Sequence, residues 1–326
     1  MFAIRSFPGI WCLCLAALIP DYSRAQTEYP ARPIRFIVPF TPGGISDTLV
    51  RLIIDPLTRA LGQQVVVDFR SGASGRVGLE IAAKSSADGY TIFLGAQGTL
   101  AVLPSLYRKL PYDSEKDFAP IVLLVRSRYL LLINPGVPAN NLKELLSLLT
   151  SRPGQFSFAS VGAGSTGHFA GEMLKRVAHV NIVHVPYKGD MPALTGLIGG
   201  ETQLMFSLPV APGPYIKSGR LRPLAIAAPH RSPLFPEVPT FEESGVPDFE
   251  VSTWFGMMTR AGAPPAIVAR LNQEINRILR MEEVRARLTT LGMEPAGSSA
   301  GEFAEYIRAE RTKWGKVIKD AGITAD

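Results

Sequence analysis

Two glycine-rich stretches hold the residue types and spacings from which chemistry is most readily built. The first is Val38-Pro39-Phe40-Thr41-Pro42-Gly43-Gly44-Ile45-Ser46-Asp47, which joins an apolar run to an amphipathic one. That passage predicts a strand, a tight turn and a helix start. Gly43 and Gly44 permit positive φ and close backbone approach. A helix start offers unpaired N–H groups and a partial positive charge. Together these make an anion cradle that needs no cationic side chain. Ser46 and Asp47 also suit plain helix capping, so a simple strand-to-helix loop is the rival reading.

The second stretch, Ser160-Val161-Gly162-Ala163-Gly164-Ser165-Thr166-Gly167-His168, fits three chemistries. Gly162, Gly164 and Gly167 match the G-x-G-x-x-G dinucleotide fingerprint, but the following strand ends Val185-Pro186-Tyr187 without the acidic residue that holds a ribose. Residues 163–167 approach a nucleophile elbow with Ala163 in place of the first glycine, which makes Ser165 a candidate nucleophile. His184 and His230 follow it, yet no surrounding pattern marks either as a base. The third reading is a helix N-terminus presenting N–H groups and the Ser165 and Thr166 hydroxyls to an anion, and every residue it needs is present. The histidines lack metal-ligand spacing: His179 and His184 would face opposite ways on a strand, and His168 and Glu172 stand one helical turn apart. His168 serves capping or packing as readily as ligand contact. Two more strand-end loops, Gly95-Ala96-Gln97-Gly98-Thr99 and Tyr187-Lys188-Gly189-Asp190, are expected at the same level. Lys188 equally suits solvated surface, and Trp254 reads as hinge or core.

These loops need a scaffold of alternating strands and helices. Apolar runs at 34–40, 65–69 and 90–94 read as strands, and the helical spacing at 47–60 and 77–84 as helices. Runs at 121–125 and 129–133, broken by Arg126-Ser127-Arg128, suggest a crossing between lobes. A second alternation follows, with helices at 142–149, 167–177 and 192–198 and strands at 156–161, 181–185 and 203–207. The segment 251–259 returns, and the tail is helical at 266–279, 283–291 and 300–321. The expected class is α/β with two lobes, a parallel-rich sheet in each and a two-crossover hinge. Residues 26–129 plus 253–326 would form one discontinuous lobe and 130–252 the other. Ligands in such sheets bind at the carboxyl ends of strands, where the glycine loops fall.

The chain opens like an exported protein: Arg5, an apolar run over 7–20, and Ser23-Arg24-Ala25 as a small-x-small cleavage site. The run is too short to span a bilayer. Cutting after Ala25 leaves 301 of the 326 residues and removes both cysteines, Cys12 and Cys14. A thiol-free mature chain has no disulfide, Cys–metal site or Cys nucleophile; with 46% hydrophobic residues it rests on its core. The net charge of +6 drops to +5 with the leader's Arg5, Arg24 and Asp21. No run of five basic residues or basic–aromatic stripe speaks for nucleic acid.

The chain resembles the tripartite tricarboxylate transporter (TctC, or Bug) family of periplasmic solute-binding proteins. The resemblance rests on Tyr29-Pro30-x-Arg32-Pro33-Ile34, Pro39-Phe40-x-Pro42-Gly43-Gly44-x-x-Asp47, Asp88-Gly89-Tyr90-Thr91, Gly164-Ser165-x-x-His168-x-Ala170-Gly171-Glu172 and His184-Val185-Pro186-Tyr187-Lys188-Gly189. Val238-Pro239-Thr240 and the closing Lys313-Trp314-x-x-Val317-Ile318-Lys319 extend it over about residues 28–324. It implies a two-lobed Venus-flytrap fold of type II-like form, with a small carboxylate or related amide held between the lobes. It implies loops Phe40, Thr41, Pro42, Gly43, Gly44 to Asp47 and Gly162, Gly164, Ser165, Thr166 to His168 as the carboxylate grip. Walls would come from Gln97, Gly98, Tyr187, Lys188, Gly189 and Ser207. Thr41, Asp190-Met191 and Thr202-Gln203 depart from the family's usual residues, where the far part of a ligand would lie. The expected protein is a monomer without catalytic residue, metal or cofactor, serving an inner-membrane permease or a sensor ectodomain. The alternative is an exported α/β hydrolase with Ser165 as nucleophile.

Overall fold

A computed structural model describes residues 29–42, 45–162, 165–187 and 189–321. The leader and the expectations at Gly43, Gly44, Gly164 and Lys188 lie outside these residues. The chain runs β1 (Ile34–Val38), α1 (Ile45–Leu61), β2 (Val65–Phe69), α2 (Arg76–Ala83) and β3 (Thr91–Ala96). A π-helical turn (Gly98–Val102) leads into α3 (Leu103–Leu106), then β4 (Phe118–Arg128), β5 (Leu130–Ile133) and α4 (Leu142–Ser151). Next come β6 (Ser157–Ser160), α5 (Thr166–Val177), β7 (Val183–Pro186), α6 (Asp190–Gly199), β8 (Leu204–Ser207), α7 (Gly213–Lys217) and β9 (Arg222–Ile226). The return is β10 (Ser252–Arg260), followed by α8 (Pro265–Leu279), α9 (Glu282–Thr290), β11 (Glu294–Pro295) and α10 (Ala300–Ala321).

Two sheets result, in the orders β11-β4-β10-β3-β1-β2 and β7-β6-β8-β5-β9. Each contains a parallel trio: β1 between β2 and β3 in the first, β6 between β7 and β8 in the second. The remaining strands pair antiparallel, because they include the segments that cross between the sheets. The sheets are therefore mixed. The parallel trios do put the ends of β1 and β3 on one edge and those of β6, β7 and β8 on another.

The crossing differs from the sequence expectation. Arg126-Ser127-Arg128 does not break the strand; β4 runs through it, with Arg126 opposite Trp254 and Arg128 opposite Ser252 of β10. Three tertiary contacts accommodate the polar triplet. The Arg126 guanidinium lies 4.6 Å from the Tyr306 ring centroid, Ser127 Oγ donates to the Gly292 carbonyl at 2.7 Å, and Arg128 reaches Glu250 at 3.4 Å. The chain passes over at Tyr129, whose N–H donates to the Val251 carbonyl and whose carbonyl accepts from Ala227 N–H. Outgoing and returning segments are thus tied together at the hinge.

Helix α10 has apolar residues at three- and four-residue steps, of which Phe303, Ile307, Trp314 and Ile318 are buried. It packs along β4 and the π-helical turn, and also on α5, where Trp314 meets Phe169 at 5.6 Å between ring centroids. The last helix therefore touches elements on both sides of the hinge. No described helix is long and apolar enough to cross a membrane.

Candidate functional site

The site forms where the ends of β3 and β6 face each other. Gln97 follows β3 and is fully buried. Its Nε2 donates to Glu310 Oε2 at 2.9 Å, and its Oε1 accepts from Thr166 Oγ1 at 3.4 Å. Thr166 begins α5, so this contact joins the two sets of strand ends across the cleft. Glu310, on α10, also accepts from Trp254 Nε1 at 3.2 Å and Trp314 Nε1 at 3.1 Å on the same oxygen. Three neutral N–H donors thus stabilise one buried carboxylate, and that carboxylate in turn sets which end of the Gln97 amide faces Thr166. Sequence reasoning missed Glu310. The signal was Glu310 one helical turn before Trp314, with an indole N–H that needs an acceptor once buried.

Sequence reasoning also missed Tyr129 as a cleft residue. Half-buried at the crossing, its side chain interacts with that of Thr166 and lies within electrostatic reach of Asp190; burial holds its phenol above the ordinary tyrosine range. Gly98 is exposed, and a side chain added there would meet only open space. Gly189 has φ 123° and equally open surroundings.

In the first loop, Phe40 is half-buried with its ring edge on Phe255, while Thr41 and Pro42 are exposed. Asp47 is buried in the first turn of α1 and pairs with Arg51 Nε at 2.6 Å. In the second loop, Gly162 has φ 137°, a conformation that L side chains rarely adopt. Ser165 caps α5, its Oγ accepting from His168 N–H at 3.3 Å. Gly167 lets α5 approach β8: a Cβ there would sit 3.0 Å from the Phe206 carbonyl oxygen. The last glycine of the fingerprint thus serves helix–strand packing.

His168 is buried and stacks on His184, ring centroids 3.8 Å apart at 17°, with Phe158 against the His184 face. Ser160 Oγ donates to the Gly162 carbonyl and accepts from Gly162 N–H, so it accepts again from His184 Nε2 at 2.7 Å. That arrangement puts the His184 proton on Nε2. Desolvation and the neighbouring His168 push His184 down to about 4, and burial likewise lowers His168. The pair is a neutral floor under the second loop. Tyr187 and Ser207 differ from the expected wall roles. The Tyr187 ring lies under α6 beside Gly196 and its hydroxyl donates to Glu201 at 3.0 Å, so its backbone is what remains for the loop. Ser207 is buried, with Oγ donating to the Leu208 carbonyl at 3.3 Å.

The hydrolase alternative is not supported. Ser165 Oγ is a helix cap, His184 is bonded to Ser160, and His230 is exposed. The described residues contain no group of three or more His, Cys, Asp or Glu able to hold a metal. A groove of about 690 Å³ between α5 and α10, lined by Lys175, Arg176, Val177 and Lys316, opens at the other end of α5 and shares no residue with the Gln97–Thr166 cluster.

Residues 49–323 match the profile described as "Tripartite tricarboxylate transporter family receptor". The chain belongs to this family. Protein BugT of Bordetella pertussis is 37% identical over 295 residues, covering 90% of each chain. Among solved structures, R. palustris Rpa4515 with adipate is 36% identical with a TM-score of 0.81, covering 91% of this chain and 99% of that one. MatC from Rhodopseudomonas palustris with bound malate is 33% identical with a TM-score of 0.76, covering 89% and 100%. Membership accounts for the glycine-rich strand ends without recourse to a nucleotide or a nucleophile, and it makes the chain a receptor of the periplasmic binding-protein type.

Proposed function

We propose that this receptor captures a small organic carboxylate between its two lobes and delivers it to a tripartite tricarboxylate-type permease in the inner membrane. The observation that carries the reading is the Thr166–Gln97 contact, which joins facing strand ends that both bear glycine loops. Solved relatives with adipate and malate supply the ligand class. Phe40 to Asp47 and Gly162 to His168 would hold the carboxylate through backbone N–H groups, with Gln97, Gly98, Thr166 and Gly189 around it. Residues 26–129 plus 253–326 and residues 130–252 would be the moving lobes, with Tyr129 at the hinge. Closure is favoured by the amount that ligand binds the closed form better than the open one. The chain would be exported by a leader ending at Ala25 and would act as a monomer without cofactor.

Mass spectrometry of small molecules released from the purified protein, followed by a thermal-shift series of carboxylates, tests the reading. A ligand at a hundred times its Kd raises stability by about 2.7 kcal/mol. Ser165→Ala should retain most of that shift. Absence of any shift across mono- and dicarboxylates would overturn the proposal.

A further inference from the structure

A cavity of about 200 Å³ lies behind the hinge strands. The β4–β10 pair separates it from Gln97: β3, which leads to Gln97, pairs with β10, while β11, which borders the cavity, pairs with the far side of β4. Its lining comes from both sheets. Pro209 follows β8 and Leu234 follows β9, whereas Gly292 and Met293 lead into β11. The two sides already meet at Gly292, where an added Cβ would sit 3.2 Å from Pro209 Cβ and 3.5 Å from Leu234 Cδ1.

Most of this lining is apolar, and Arg128 is its cation. The Arg128 side chain is only 13% exposed. Nη1 stands 3.4 Å from Glu250 and Nε 3.8 Å from Glu294; Nε is buried with no hydrogen-bond partner among the described residues. A buried N–H without an acceptor is costly, the more so on a charged group. Glu250 and Glu294 already balance the guanidinium charge, and Glu294 borders the same cavity. What the guanidinium lacks is an acceptor rather than a third negative charge.

We propose that this cavity is a second small-molecule site, which takes a compact apolar molecule that presents one uncharged acceptor, a ketone or amide carbonyl, to Arg128. The volume holds about seven water-sized groups, enough for a six-membered ring and its oxygen. Its occupant favours the closed form. Rotation about the crossing at Tyr129 that parts Thr166 from Gln97 in front would press Pro209 and Leu234 toward Gly292 and Met293 behind, and a filled cavity resists that approach. This second part rests on the proposed movement of the lobes. Rear occupant and cleft ligand would then strengthen each other's binding by the same factor.

Cyclohexanone, added with no carboxylate present, is the probe. Met293 is buried and borders the cavity, so its methyl signal in protein isotope-labelled at the methionine methyl groups reports occupation. Met293→Leu assigns that signal. It should move saturably at millimolar cyclohexanone. Arg128→Leu should weaken binding about tenfold or more, the scale of one hydrogen bond to a charged donor. Leu234→Trp, which fills the cavity from a half-buried position, should abolish the shift. The other methionine signals show whether each variant is folded. No saturable shift in the wild type, or unchanged affinity in both variants, would overturn the site. Hydrogen exchange in the wild type tests the effect on closure: peptides containing Gln97 and Thr166 should exchange about twofold more slowly or better with the probe bound. Unchanged exchange there, while Met293 responds, would overturn the effect on closure. Neither readout involves a carboxylate, so the proposed cleft function and this site fail independently.

Discussion

Replacing Glu310 by alanine removes the shared acceptor of Gln97 Nε2, Trp254 Nε1 and Trp314 Nε1, all within 3.2 Å of Oε2. Each buried donor left without an acceptor costs roughly 1–3 kcal/mol. Since the vacated volume can admit water to some of them, the lower part of the range applies, and the loss is about 3–5 kcal/mol. At this chain length each kcal/mol moves the melting temperature by about 2 °C, so Tm should fall by about 6–10 °C. Glu310→Gln keeps an acceptor oxygen and brings an extra N–H₂ group, and should cost only about 1–2 kcal/mol. Intrinsic fluorescence is the natural probe, because both tryptophans of the described residues contact this carboxylate. The alanine variant should also bind carboxylates less tightly, as the Gln97 amide loses its fixed orientation. The reasoning is refuted if Glu310→Ala melts within 2 °C of wild type, or if the alanine and glutamine variants are equally destabilised.

Three other outcomes follow from the same geometry. Gln97→Leu removes the acceptor of Thr166 Oγ1, and calorimetry should find carboxylate affinity reduced about tenfold, the scale of one hydrogen bond, with a smaller loss of Tm than in Glu310→Ala. Gly98→Ala should leave Tm unchanged, since its Cβ meets nothing, yet weaken ligand binding; Gly167→Ala should lower stability by about 1–3 kcal/mol, since its Cβ meets the Phe206 carbonyl. Between about pH 4 and 6.5 the unfolded chain binds more protons at His184 than the native one, so stability is full above that window and falls as pH drops through it. The partly solvated position limits the effect to about 1–2 kcal/mol. Urea unfolding at pH 7.5 and 4.5 should find a shallower dependence in His184→Gln, which keeps a donor for Ser160.

Element type was largely legible, because hydrophobic periodicity is local. The sequence bounds for α10, residues 300–321, coincide with the observed helix, and β2 likewise spans 65–69 as expected. Sheet order was not legible. The antiparallel placement of β10 between β3 and β4 depends on pairings more than a hundred residues apart, and β4 continues through Arg126-Ser127-Arg128 only because Tyr306, Gly292 and Glu250 receive those side chains. At the site, small residues after strands marked Gln97, Gly98 and Thr166, since glycine and helix-start chemistry are written in neighbouring positions. Glu310, Tyr129 and the His168–His184 stack were hidden, as each acquires its role from a distant partner. Tyr187 illustrates the converse. The family resemblance implied a wall there, but the absence of a side chain at Gly196 leaves room for its ring beneath α6.

The acceptor that orients Gln97 lies 213 positions further along the chain. A polypeptide threaded through a translocation channel from its N-terminus would complete both sheets while Glu310 was still in transit. On the proposed reading of the cleft, the Gln97 amide would gain its fixed orientation only once the last helix had packed, and solute capture would wait on that step.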